Sequence, residues 1–333
     1  MQALIVRFLL AASALVLAWP ALARDQITIG TVASTGGASI FVAQALGYFA
    51  ANGLEAKLVQ FSAAHELSTA AAAGDIDFGS TGINAPLCVF AHEGKIRIIG
   101  SGGEEHPGFH TVGFVVSNKA YSEGLHGLRD LGGHSVATTQ FGGAFQYDIG
   151  LALKKYGIAE KTVRILGLQT NGNIASAIGG GQVDAAVQSS SGVFALADAG
   201  KAKVLGWVGD ELGNQQTAFT FTTGAMAKDH PDIVRRFLDS FRKAGAAWDQ
   251  AFMDASGKRQ DQPEAEKMIA VVATTLNLPP TAIAKGIGYF DPEARLKLAD
   301  LQSLLDWLYQ QGMIKTKMDA PSLIDSRFAT IAP

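Results

Sequence analysis

Ala70-Ala71-Ala72-Ala73-Gly74-Asp75-Ile76-Asp77-Phe78-Gly79-Ser80 has a counterpart in the second half of the chain, Ala177-Ile178-Gly179-Gly180-Gly181-Gln182-Val183-Asp184-Ala185-Ala186-Val187-Gln188. Each runs from an apolar helical stretch through a glycine stop and an apolar–Asp pair into a short strand that ends in hydroxyl or amide side chains. Glycine stops a helix because it lacks the Cβ that penalises the left-handed turn. A helix–stop–strand unit that recurs in both halves predicts two similar α/β lobes.

Working outward, Ile27-Thr28-Ile29-Gly30-Thr31 alternates and is β-branched, which predicts a first strand. Ile40, Phe41, Ala43, Leu46 and Phe49 then recur at helical spacing, and Asn52-Gly53 ends that helix. Strands are predicted at Leu54 to Phe61, Ile76 to Gly79 and Ile96 to Gly100, with an alanine-rich helix at Ser68 to Ala73 and Pro86 in the first turn of another. The second half repeats the alternation. Its strands fall at Val112 to Ser117, Ser135 to Thr139, Val163 to Leu168 and Val183 to Gln188, its helices at Ala144 to Tyr156 and Ile174 to Ile178. Strands alternating with helices predict mixed, mainly parallel sheets flanked by helices. Beyond Gly224 the pattern turns helical. Pro231 opens a helix with Val234, Phe237, Leu238, Phe241 and Trp248 on one face, and Leu298, Leu301, Leu304, Leu305 and Leu308 form a second apolar stripe. Both stripes read as core.

The chain has 333 residues, 48% hydrophobic and 17% charged, which excludes a disordered protein. A formal charge of -3 with no basic cluster provides no footprint for nucleic acid. The single cysteine, Cys88, sits in the apolar run Leu87-Cys88-Val89-Phe90 and reads as buried structure; it excludes an intrachain disulfide and CxxC metal sites. Leu4 to Leu22 is apolar with Arg7 its sole charge, and it closes on Ala21-Leu22-Ala23. Small residues at the −3 and −1 positions predict a signal peptide over residues 1–23, cleaved after Ala23, in preference to a membrane anchor. No cysteine lies near that cut, which argues against a lipid anchor, and no later apolar run approaches the ~18 residues a spanning helix needs. A soluble protein of the periplasm is expected.

In open parallel sheets, ligands bind beyond the carboxyl ends of the strands. Four loops hold that position: Ser34-Thr35-Gly36-Gly37, Ser80-Thr81-Gly82, Thr139-Gln140-Phe141-Gly142-Gly143 and Gln188-Ser189-Ser190. All are small, bear hydroxyls or amides, and lead into helices whose free N–H groups attract anions without Arg or Lys. Simple N-capping would also explain any one of them. The expected ligand-binding set is Thr35, Gly36, Gly37, Ser80, Thr81, Gly82, Gln140, Phe141, Gly142, Gly143, Asn171, Gln188 and Ser189, with Phe141 as an apolar wall. Catalytic signatures are missing: no HExxH, no G-x-S-x-G and no phosphate-binding loop. His106 and His110, beside Glu104 and Glu105, read as a cleft-edge loop in preference to a metal site. No cofactor, metal or catalytic residue is expected.

Several ordered segments resemble the solute-binding proteins of ABC importers, in the subgroup that handles nitrate, sulfonates such as taurine, and thiamine-precursor pyrimidines. Phe41-Val42-Ala43-Gln44-Ala45-Leu46-Gly47-Tyr48-Phe49 ahead of Asn52-Gly53-Leu54 is similar to the family's opening helix. Ala73-Gly74-Asp75-Ile76-Asp77-Phe78, Leu128-Arg129-Asp130-Leu131 through Ala137, Gly181-Gln182-Val183-Asp184-Ala185-Ala186 and His230-Pro231-Asp232-Ile233-Val234 resemble its later segments. The resemblance implies a two-lobed periplasmic-binding-protein fold of type II with the ligand cleft between the lobes. Residues 24–112 plus 222–333 would form lobe 1 and residues 113–221 lobe 2, crossing near His110 to Val115 and Ala218 to Thr223, with the C-terminal helices mainly on lobe 1. It implies a monomeric, non-enzymatic receptor that hands a small organic anion, sulfonate- or carboxylate-like, to a membrane permease with its ATPase. Where the family often carries Pro after the second-lobe Asp strand, this chain has Ser189-Ser190-Ser191-Gly192. Two other functions are compatible with the same fold. One is an enzyme resembling the pyrimidine synthases, whose cysteine-rich motif one Cys cannot supply; the other is a ligand-binding partner of a periplasmic sensor.

Overall fold

The computed structural model describes residues 24–32 and 34–333, so the expected signal segment and its cleavage point at Ala23 lie outside the described residues. Two five-stranded sheets organise the chain. The first contains β1 (Asp25–Val32), β2 (Leu54–Phe61), β3 (Phe78–Gly82) and β4 (Ile96–Ser101). After the short β5 (Gly103–Glu104) the chain enters the second sheet: β6 (Val112–Ser117), β7 (Ser135–Thr138), β8 (Arg164–Gly167), β9 (Ala185–Ser189) and β10 (Ala202–Trp207). It returns through β11 (Ala218–Thr223), and β12 (Tyr289–Phe290) pairs with β5.

The sheets have the same plan. The first is ordered β2-β1-β3-β11-β4 and the second β10-β6-β9-β7-β8. In each, the strand pairs β1–β2 and β1–β3, or β7–β8 and β7–β9, are parallel, and one strand, β11 or β6, runs antiparallel to its neighbours. The repeated Asp explains part of this likeness. Asp77 Oδ2 accepts the Thr28 N–H at 2.8 Å, and Asp184 Oδ2 accepts the Ser135 N–H at 2.8 Å. Each carboxylate satisfies a backbone donor on the parallel neighbour and sets where that pairing starts. Because Asp77 is used this way, the third strand runs from Phe78 to Gly82, starting two residues and ending three residues later than its apolar pattern suggests.

Two further differences from the sequence reading have local causes. Of the crossings expected near His110 to Val115 and Ala218 to Thr223, His110 and Thr111 do lie between the sheets, while Val112 to Val115 and Ala218 to Thr223 are strands. Val112–Ser117 lies wholly in the second sheet, and Ala218–Thr223 lies wholly in the first, between β3 and β4. Both runs are apolar enough to be buried on two faces, so the crossings fall to residues 105–111 and 213–217. Ser190 to Gly192, read as loop, opens the helix Ser190–Asp198. Ser190 N donates to Thr111 O at 2.9 Å, and Gly192 leaves room for the Gln188 side chain: a Cβ there would lie 2.0 Å from Gln188 Oε1.

The amphipathic stripes form helices Pro231–Phe252 and Leu298–Gln310. Phe237 stacks on Phe78 of the first sheet with ring centroids 4.0 Å apart, and buried Trp248 donates to Gly288 O at 2.8 Å. Removing such large side chains from water is worth roughly 1.5–3 kcal/mol each. The C-terminal helices do not serve the first sheet alone. Tyr147 from the helix Ala144–Lys155 joins the cluster of Leu301, Leu304, Leu305 and Leu308, and its ring meets Trp307 edge-on at 5.3 Å. Among the described residues no helix is long and apolar enough to cross a membrane.

Candidate ligand-binding site

Four strand-to-helix turns meet between the sheets. β1 leads through Thr35–Gly37 into the helix Ala38–Ala45, and β3 leads into Ala85–His92. β7 leads into Ala144–Lys155, and β9 into Ser190–Asp198. The second of these turns is fixed by fully buried Asn84, whose Oδ1 accepts the Leu87 N–H at 3.0 Å while its Nδ2 donates to Ser68 Oγ at 3.1 Å. At one rim of the cleft the lobes touch directly. Ala85 N donates to Gly142 O at 2.8 Å, Ala144 N to Ile83 O at 3.0 Å, and His65 Nδ1 reaches Gln140 Oε1 at 2.5 Å. Between them lies a cavity of about 120 Å³, on the scale of the roughly 150 Å³ engineered cavity that holds benzene.

Nine of the residues expected from the sequence line this cavity together: Gly36, Gly37, Ser80, Thr81, Gly82, Gln140, Gly143, Asn171 and Ser189. Thr35, Phe141, Gly142 and Gln188 do not. Thr35 is buried with its Oγ1 3.4 Å from Ser190 Oγ. Gly142 adopts φ +69°, its N–H donates to Gln146 Oε1 at 2.6 Å, and a Cβ would stand 3.1 Å from Ala85 Cβ, so it shapes the turn and the rim. Phe141 is 53% exposed, its ring lying against Gly167 at the end of β8. Gln188 is fully buried beside Gly192.

The cavity also contains residues outside the expected binding set, Ser34 and Thr139 from the quoted loops among them. Ser34, Ser62, Thr111, Thr139 and Thr217 add polar groups, while Val32, Ile83, Val112, Ala144 and Phe145 add an apolar wall. Glu105, from the crossing segment, lines it too, and among the described residues no Lys or Arg does. Burial pushes the Glu105 carboxyl well above the usual range, Asp148 nearby adds to the rise, and a hydrogen bond from the Val112 N–H opposes it. Asp148, on the helix that starts at Ala144, is buried with neither carboxyl oxygen partnered, and burial pushes it up to about 8. Glu104, by contrast, is neutralised by Lys297 Nζ at 2.5 Å and accepts from Gln216 Nε2 at 2.8 Å. The sequence reading placed Glu105 only in a cleft-edge loop and not in the binding set, because its place in the cavity depends on the bridge to Gln215 far along the chain.

The neighbouring polar groups have structural uses. His106 stacks on Tyr289 with centroids 4.0 Å apart, and His110 stacks on Trp207 at 4.4 Å while reaching Asp210 Oδ2 at 3.2 Å. Cys88 is buried, which pushes its thiol up to about 12 and disfavours the nucleophilic thiolate.

The profile of the NMT1/THI5-like family matches residues 34–252, about two-thirds of the chain. No curated protein sequence matches it. Solved structures share the fold across almost the whole chain. The ligand-binding component of an ABC-type import system from Staphylococcus aureus aligns with a TM-score of 0.76 at 12% identity, over 92% of this chain and 98% of that one. The alkanesulfonate-binding protein SsuA from Xanthomonas axonopodis pv. citri, bound to MOPS, gives 0.72 at 20% identity over 90% and 98%. The periplasmic nitrate-binding protein NrtA from Synechocystis PCC 6803 gives 0.72 at 13% identity over 90% and 85%. With its doubled sheet plan and the cavity between the sheets, the chain belongs to the NMT1/THI5-like family and has the two-lobed periplasmic-binding-protein fold.

Proposed function

We propose that the protein is the solute-binding component of an ABC importer, holding one small organic molecule between its lobes and delivering it to a membrane permease with its ATPase. The observation that carries this reading is the convergence of four strand-to-helix turns from two sheets on one cavity. Lobe 1 is proposed as residues 24–112 plus 222–333 and lobe 2 as residues 113–221, adjusted at the crossings so that β6 stays with lobe 2 and β11 with lobe 1. Export to the periplasm with cleavage after Ala23, and a monomeric state, belong to the same proposal.

An acidic group on the solute, a sulfonate or carboxylate, is proposed to meet the hydroxyls of Ser80, Thr81 and Ser189 and the first turn of the Ala144–Lys155 helix beyond Ala144, whose own N–H is taken by Ile83 O. Helix N-termini hold such groups through free N–H donors, which suits a cavity without basic side chains. Gly36, Gly37, Gly82 and Gly143 allow close approach, and Gln140 and Asn171 supply amides. Thr35, Phe141, Gly142 and Gln188 are proposed to shape the site from behind it. A thermal-shift screen of sulfonates, aromatic and aliphatic carboxylates, nitrate and pyrimidines tests the reading. It expects saturable stabilisation by an organic member that is recovered unchanged after incubation. Conversion of that member to a new product would favour an enzyme, and stabilisation by nitrate alone would contradict an organic solute.

A further inference from the structure

Glu105 is 3% exposed and lines the cavity. Its backbone is held by a two-way bridge to Gln215, with N–H···O distances of 2.9 and 3.1 Å. Its carboxyl accepts the Val112 N–H, yet Oε2 has no partner. The adjacent Glu104 shows how this fold treats a carboxylate it needs only for structure: Lys297 and Gln216 complete it. Glu105 has no such cation. Two other atoms from cavity-lining residues are left in the same condition, Asn171 Oδ1 and Thr111 Oγ1. A carboxylate or amide oxygen only accepts hydrogen bonds. Acceptors buried without donors are expensive to keep, and each calls for a donor that completes it.

We propose that Glu105 recognises a nitrogen donor on the captured solute, an ammonium, amidinium or amino group, with Asn171 Oδ1 as a second acceptor. The inference rests on the solute-capture reading and adds the chemistry of one end of that solute. A charged N–H donor against a carboxylate forms the stronger, charge-assisted kind of hydrogen bond. The raised pKa of Glu105 fits the empty state, in which a carboxyl buried without a counter-charge holds its proton. With an acidic group at the first turn of the Ala144–Lys155 helix, the preferred solute is an amino acid-like zwitterion.

Three matched pairs test this by calorimetry on the wild-type protein and on Glu105→Gln: 2-aminoethanesulfonate against ethanesulfonate, 3-aminopropanoate against propanoate, and benzylamine against benzyl alcohol. In at least one pair the amine member should bind tenfold or more tightly, and Glu105→Gln should remove that advantage. Equal affinities within each pair, or tighter binding of every nitrogen-free member, would overturn the role of Glu105 while leaving solute capture intact. An amine preference that survives Glu105→Gln, in a variant whose far-ultraviolet circular dichroism matches wild type, would also overturn it. Failure of all six to bind counts against the nitrogen donor; solute capture is then judged separately, by whether native mass spectrometry of the periplasmically expressed protein finds a non-covalent small molecule.

Discussion

Single carboxyl groups carry the sharpest expectations. Asp148 is buried without partners, and its pKa rises from 3.8 to about 8. A folded-state pKa above the unfolded one means that the folded protein binds the extra proton in the window between them. Stability should therefore fall as pH rises through that window and level off above it. Asp148→Asn keeps the shape of the neutral acid, so chemical denaturation at several pH values should show a flatter profile for the variant; an unchanged slope would mean that Asp148 has an unseen partner. Asp184 predicts the opposite sign. Burial raises its pKa, but hydrogen bonds from Ser135 and the nearby His134 outweigh this and hold it below 3.8. Its contribution is present above the unfolded pKa and is lost as pH falls through the folded one. Asp184→Ala should cost about 1–3 kcal/mol at neutral pH, since it strands the Ser135 N–H, measurable as a drop in the urea midpoint.

At the scale of elements, strands were legible where apolar and β-branched residues run between polar or glycine ends. Leu54–Phe61, after Gly53, and Val112–Ser117, before Asn118, fall where that pattern puts them. The strand Ala202–Trp207 was not read at all: Lys203, Gly206 and an irregularity between Val204 and Gly206 break its period. The polar set was legible at Ser80, Thr81, Gln140 and Ser189 because strand ends have a fixed topological place. Phe141 and Gly142 sit in the same loop and still miss the cavity, because side-chain direction in a turn depends on Gln146 and Ala85 across it. Glu105 was read only as part of a cleft-edge loop, since its place in the cavity is set by the long-range bridge to Gln215. The apolar stripe on Pro231–Phe252 makes a simpler prediction. Phe237 is fully buried against Phe78 and Phe49, so Phe237→Ala should destabilise by about 3–5 kcal/mol, and a loss below 1 kcal/mol would contradict its place in the core.

For the whole molecule, the doubled plan has a mechanical consequence. Two sheets are joined by residues 105–111 and 213–217, and the lobes also meet through polar contacts at Ala85, Gly142 and Gln140 and through Tyr147 packed against the Leu298–Gln310 helix. A solute that touches both lobes binds the closed form preferentially and shifts the population toward it. Small-angle scattering should therefore give a smaller radius of gyration with a binding solute than without, whereas an unchanged profile at saturation would contradict closure. The most direct measurement is a crystal structure grown with the solute that stabilises the protein best. The account predicts difference density for one molecule in the cavity bounded by Ser80, Thr81, Gln140 and Ser189, touching both lobes. Density on the outer surface, with that cavity holding only water, would contradict it.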